Sequence, residues 1–199
     1  MPPIVDADAL VVLGGSMSCQ DDAEAPWLAP TRQLISRTVR AGTPFLGICL
    51  GHQLATVALG GQVCTSDHFC LGAAEMHLTP EGKKDPLLSV YDGHRGIHFN
   101  NDVAVVLPED AVLLARDPTG QIEAVRFAER AWGVQFHPEC TPEIFDAWTI
   151  GHGEKEWQQR LPWSEAVTVA ETVRRDIDTV NAEEAFAARF HELIDPEKR

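Results

Sequence analysis

Residues 44–53 read PFLGICLGHQ. The apolar run Pro44 to Ile48 stops at a cysteine flanked by Gly47 and Gly51, and a helix-compatible stretch, Gly51 to Leu59, follows until Gly60-Gly61 ends it. A strand that passes directly into a helix needs a tight, strained turn. Glycines on either side of the apex keep Cβ atoms out of that crowded space. This is the nucleophile-elbow arrangement G-x-S-x-G with a thiol in the place of the serine. Cys49 would then sit at a helix N-terminus, where the helix dipole favours the thiolate. The backbone N–H of Leu50 would point the same way, towards an oxyanion.

Upstream, Ala9 to Leu13 (ALVVL) is another short apolar run, ended by Gly14-Gly15, and Trp27 to Ala41 carries Leu28, Leu34, Ile35 and Val39 at helical spacing. Strand, helix, strand, helix predicts a parallel α/β sheet. The middle of the chain differs. Ala73 to Leu78, His94 to Phe99, Ala111 to Ala115, Ile122 to Phe127 and Trp132 to Phe136 are strand candidates between turn-prone segments such as PEGKKDP, and are expected to add antiparallel strands to the core sheet. After Thr141 the pattern is helical. Ala166, Ala170, Val173, Ile177 and Val180 form one stripe, and Phe186, Phe190 and Leu193 a second; both are expected to pack on the domain's own core, with a subunit interface as the alternative.

A thiolate nucleophile needs a base. WGVQFHPEC (residues 132–140) supplies His137 at the end of the last candidate strand, with Glu139 beyond Pro138 to orient the imidazole.

GICLGHQ together with HPE resembles the class I glutamine amidotransferases, Cys-His-Glu enzymes that release ammonia from glutamine. LGGSMS and PWL are similar to stand-alone members related to the glutaminase domain of GMP synthase. The resemblance runs from about Ala9 through Trp148. It implies a flavodoxin-like three-layer α/β fold over residues 1–150, with 151–199 as a helical extension packed on it. It also implies roles: Cys49 the nucleophile, His137 the general acid/base, Glu139 its partner, Gly15 and Leu50 the oxyanion donors, and Gln53 a contact to the substrate's amino-acid end. Gly72, in Cys70-Leu71-Gly72, matches a second such contact more loosely. The expected substrate is a small molecule, glutamine or another γ-glutamyl amide, cleaved through a thioester with no metal or organic cofactor. Ammonia would be released or passed to a separate synthase subunit, since the chain carries no Walker A loop. The alternatives are a γ-glutamyl hydrolase acting on amine conjugates, which would use the same triad, and a catalytically inactive regulatory relative.

Composition narrows the remaining classes. A formal net charge of −14 over 199 residues repels phosphate backbones, so no nucleic-acid partner is expected. No apolar run reaches the roughly 18 residues that span a bilayer, and no export signal opens the chain. The five cysteines are therefore expected to be reduced thiols of a cytoplasmic protein. CTSDHFC (64–70) matches no common zinc spacing, and Cys140 is either inert or open to oxidation. His94, His98 and Asp102, in HRGIHFNND, serve either to satisfy a strand and turn or to select substrate, with Asn100 at a position where some relatives have histidine. Members of the family carry roughly 40 to 50 residues before the strand that matches ALVVLGG, a strand–helix–strand unit for which Met1 to Asp8 is too short. The resemblance therefore leads one to expect an upstream start, a partner chain that supplies the unit, or an inactive form, the first being preferred.

Overall fold

β1 (Leu10–Val12), α1 (Leu28–Arg40), β2 (Phe45–Ile48) and α2 (Leu50–Ala58) alternate as the apolar runs predict in the computed structural model, which describes residues 7–150, 163–177 and 182–195. β1 pairs in parallel with β2, Val11 opposite Leu46, and β2 pairs in parallel with β8 (Ala131–Val134), Leu46 opposite Trp132. β7 (Ile122–Ala128), β6 (Val112–Arg116) and β4 (His77–Leu78) extend the sheet antiparallel, in the order β1-β2-β8-β7-β6-β4.

All four residues of β2 are buried because both faces of the sheet are covered. Phe45 points to one side, into a cluster with Leu28 and Ile35 of α1 and Leu54 of α2. Leu46 and Ile48 point to the other, where Trp132, Phe136, Phe186 and Phe190 gather. α1 presents Leu28, Thr31, Ile35 and Thr38 to this core at spacings of three and four, the stripe a 3.6-residue period requires. Each fully buried side chain of this size contributes about 1.5–3 kcal/mol. The result is a three-layer α/β fold.

The middle of the chain departs from expectation in one respect. β3 (Gln62–Glu75) and β5 (Arg95–Val106) are far longer than the candidate strands and pair with each other as a separate two-stranded antiparallel ribbon, not with the core sheet. The run Ala73 to Leu78 is divided between β3 and β4. The start of β3 escapes a pattern search because QVCTSDHF lacks apolar alternation; its pairing comes from β5, whose own sequence reads as a short strand followed by a turn. A register shift between Thr65 and Cys70 kinks the ribbon.

Three helices follow, α3 (Pro142–Ile150), α4 (Trp163–Ile177) and α5 (Glu183–Ile194). Val173 and Ile177 of α4 are buried with Ile97, Cys140 and Phe145 beneath the ribbon, whereas Phe186 and Phe190 of α5 enter the main core. These apolar positions therefore cover the chain's own core. Val180, and the side chains of Ala166 and Ala170, lie outside the described residues.

Candidate active site

Cys49 is the only non-glycine residue with a positive φ among the described residues (φ 49°, ψ −105°). Its N–H donates to the Val134 carbonyl at 2.8 Å, and its own carbonyl accepts the first intrahelical bond, from Gln53 N–H at 3.0 Å. Such a backbone persists only where its surroundings enforce it. Here they do. A Cβ on Gly51 would lie 2.0 Å from the Val12 carbonyl oxygen, and one on Gly47 would lie 2.5 Å from that of Gly51. Both flanking glycines are thus required by close backbone approach. The N–H groups of Leu50, Gly51 and His52 open α2 without intrahelical acceptors, as in any helix first turn.

His137 follows β8, its N–H held by the Ile97 carbonyl of β5 at 2.8 Å. Cys140 N–H donates back to the His137 carbonyl at 3.3 Å, closing a turn over Pro138-Glu139. The turn brings Glu139 Oε1 to 2.8 Å from His137 Nδ1. The imidazole is buried, and Trp148 of α3 covers it with ring centroids 4.6 Å apart. His137 Nε2 has no hydrogen-bond partner within normal distance and faces Cys49. Burial opposes a charge on this ring, but interaction with the Cys49 sulfur and the bond to Glu139, with the charges of both, outweighs it and pushes the His137 pKa up to about 10. Cys49, His137 and Glu139 are thus brought together.

The Gly14-Gly15 turn lies across this unit. A Cβ on Gly14 would come within 3.0 Å of His137 Cε1 and 3.6 Å of Cys49 Cβ. Gly15 packs on Leu50 and lines, with Cys49, Gln53, Phe69, Asn100 and Asp102, a cavity of about 260 Å³. Gln53 Nε2 donates to the Asp102 carbonyl at 2.8 Å. Thr65 Oγ1 donates to Asp102 Oδ1 at 2.9 Å, and Asn100 Nδ2 to the Asp102 carbonyl at 3.2 Å. Gly72 lies apart from this cavity, paired with His98 in the ribbon, and the space where a side chain would go faces Val169 and Val173 of α4.

Sequence reading missed two things. Gln135, within the quoted WGVQF, is fully buried and donates from Nε2 to Cys49 Sγ at 3.6 Å; a lone amide at the end of an apolar strand is its only signal. His98 and Glu123 form a buried pair at 2.6 Å. Desolvation of His98 is overcome by the adjacent carboxylate, which raises its pKa above the ordinary value. His98 thus ties β5 to β7, while His94 lies elsewhere on the approach to the ribbon. Burial, with the charges of Glu139 and Glu183, pushes Cys140 up to about 12, so it stays a thiol.

The model of the family described as glutamine amidotransferase class-I matches residues 3–151. The chain belongs to that family. Among curated amidotransferase relatives, it is 32% identical over 161 residues to the glutamine amidotransferase-like protein YfeJ of Salmonella typhimurium, a match covering 78% of this chain and 66% of that protein. It is 29% identical over 139 residues to a subunit of the glutamine-hydrolysing GMP synthase of Methanothermobacter thermautotrophicus, covering 67% and 66% of the two chains. The chain therefore spans slightly under two thirds of the length of these relatives. A glutamine amidotransferase of Methylobacillus flagellatus superposes with a TM-score of 0.82 at 25% identity, over 98% of this chain and 80% of that one. One from Thermotoga maritima, at 21% identity, shares the fold with a TM-score of 0.80 over 98% and 81%. No described helix of this amidotransferase is long and apolar enough to cross a membrane.

Proposed function

We propose that this amidotransferase hydrolyses the side-chain amide of glutamine through a thioester on Cys49. One observation carries the reading: the buried His137 ring interacts with the Cys49 sulfur, its Nε2 has no other partner, and Glu139 holds Nδ1 at 2.8 Å. The Cys49 thiolate attacks the amide carbon, and the carbonyl π electrons move onto oxygen, where the N–H groups of Gly15 and Leu50 receive the charge. Collapse expels the amide nitrogen, which takes the His137 proton and leaves as ammonia. Neutral His137 then takes a proton from water, the hydroxide adds to the thioester, and glutamate departs as the sulfur regains its electron pair. Glu139 keeps Nδ1 protonated and stabilises the imidazolium throughout.

Gln53 and Asp102 contribute to the cavity wall that would receive the amino-acid end of the substrate. Gly72 remains a candidate only if the ribbon shifts on binding. The kinship with a glutamine-hydrolysing GMP synthase that is built from separate chains supports a distinct synthase partner as the recipient of ammonia. Cys49 supplies and regains the electron pair and His137 carries the protons of this scheme, while Glu139 and the two backbone donors stabilise the charges that develop.

The cavity also favours a second reading, since the carboxylates of Asp21 and Asp102 line it and could attract a cationic amine leaving group. Two measurements separate the readings. A glutamine-like electrophile should add its mass to the Cys49 peptide and to no other. Turnover of glutamine should exceed that of γ-glutamyl amines; the reverse order would assign the chain to amine conjugates, and an unlabelled Cys49 would sink both.

A further inference from the structure

Gln135 lies between β8 and the turn that carries His137. Its backbone N–H donates to the Glu123 carbonyl at 2.8 Å, and Glu123 is itself tied to His98. The side chain is 0% exposed, so its amide must find partners inside the protein. Its carbonyl accepts from Gln53 Nε2 at 3.3 Å and its Nε2 reaches Cys49 Sγ at 3.6 Å.

The hydrogen-bond network itself dictates which way the two amides point. The Asp102 backbone carbonyl can only accept, so the Gln53 atom 2.8 Å from it must be the NH2 group. That same NH2 faces Gln135 at 3.3 Å, so Gln135 turns its carbonyl to Gln53 and its own NH2 to the sulfur. A donor is thereby aimed at the nucleophile from the side opposite a fixed chain of partners.

We propose that Gln135 is a further catalytic residue of this site, whose side-chain amide hydrogen-bonds Cys49 Sγ and favours the thiolate over the thiol. The inference rests on the thiolate chemistry proposed above. When the S–C bond forms, the sulfur lone pair is shared with the substrate carbon and the bond from Gln135 weakens. When the thioester breaks, the electron pair returns to sulfur and the donor receives it again, which makes the sulfur a better leaving group. Gln53 is a positioning residue in this arrangement, bracing the Gln135 carbonyl.

The test is Gln135→Met, which keeps length and apolar volume but has no N–H. Alkylation by iodoacetamide is followed at the Cys49 peptide by mass spectrometry across pH, since the exposed Cys64 also reacts. The variant should show a midpoint about one pH unit higher and about tenfold slower alkylation at neutral pH, as loss of a hydrogen bond to a charged group implies. Its kcat should fall while KM is held. An unchanged midpoint in the folded variant would overturn the proposal. If Gln135→Met does not fold, the Gln135 side-chain amide resonances of the unmodified protein decide. They should shift with the alkylation midpoint of Cys49 and lose that step in Cys49→Ser; resonances indifferent to pH would overturn the proposal equally. Alkylation reads the thiol alone, so a chain that failed to hydrolyse glutamine would still report on Gln135.

Discussion

At Cys49 the chain holds a backbone conformation that no other described non-glycine residue adopts, and the neighbours that enforce it make a testable point. Gly51→Ala would drive a methyl group to 2.0 Å from the Val12 carbonyl, a contact with backbone that no rotamer change relieves. Urea denaturation should show a loss of about 1–3 kcal/mol or more, with the elbow displaced and activity lost. A variant as stable as the parent would mean that β1 and α2 are not packed as described. Glu139 offers a complementary test, because it touches the base and not the substrate. Glu139→Gln keeps the shape but removes the charge that supports the imidazolium at 2.8 Å. Turnover should drop about 10²-fold or more with KM little changed; retention of turnover would remove Glu139 from the mechanism.

At the scale of elements, the ribbon of β3 and β5 closes one side of the cavity. Its kink between Thr65 and Cys70 delivers Phe69 to the cavity wall, where its ring meets Phe99 edge-on at 5.5 Å. Phe69→Ala should raise KM for glutamine by about tenfold with a small change in melting temperature, because the side chain shapes the site and lies outside the central core. A large loss of stability with KM unchanged would mean that Phe69 is a structural residue only. These elements also mark the limit of what the sequence discloses. β1, β2, α1 and α2 are legible because short apolar runs stop at glycines and the α1 stripe has helical period. The ribbon is not, since its pairing is long-range and its first half carries no alternation. Likewise Cys49, His137 and Glu139 can be read from spacing and resemblance. Gln135 cannot, because its role depends on the partners of Gln53 and on the carbonyl of Asp102, residues 49 positions apart. Gly72, a loose match in sequence, pairs with His98 in the ribbon, where the space beside it faces Val169 and Val173 of α4.

For the whole molecule, two buried histidines act in opposite pH windows. His52 on α2 is fully buried beside Phe127, with neither ring nitrogen bonded, and burial lowers its pKa from 6.5 to about 4. Between those values the unfolded chain binds a proton that the folded one does not. Stability therefore falls as pH drops through that range, by up to about 1.4 kcal/mol per pH unit. His137 has the reverse sign: its raised pKa adds stability that is complete below 6.5 and lost as pH rises towards about 10. His52→Leu should flatten the fall in melting temperature between pH 6.5 and 4 and leave the alkaline limb alone. An acid limb as steep as the parent's would show that His52 is not the group responsible.

The most direct measurement is of ammonia and glutamate released from L-glutamine by the 199-residue chain and by its Cys49→Ala variant. Equimolar release by the first, reduced at least about 10³-fold in the second, is the predicted result. Release that persists without the thiol, or none above the Cys49→Ala background from a chain whose Cys49 alkylates readily, would contradict a thioester glutaminase built on Cys49, His137 and Glu139.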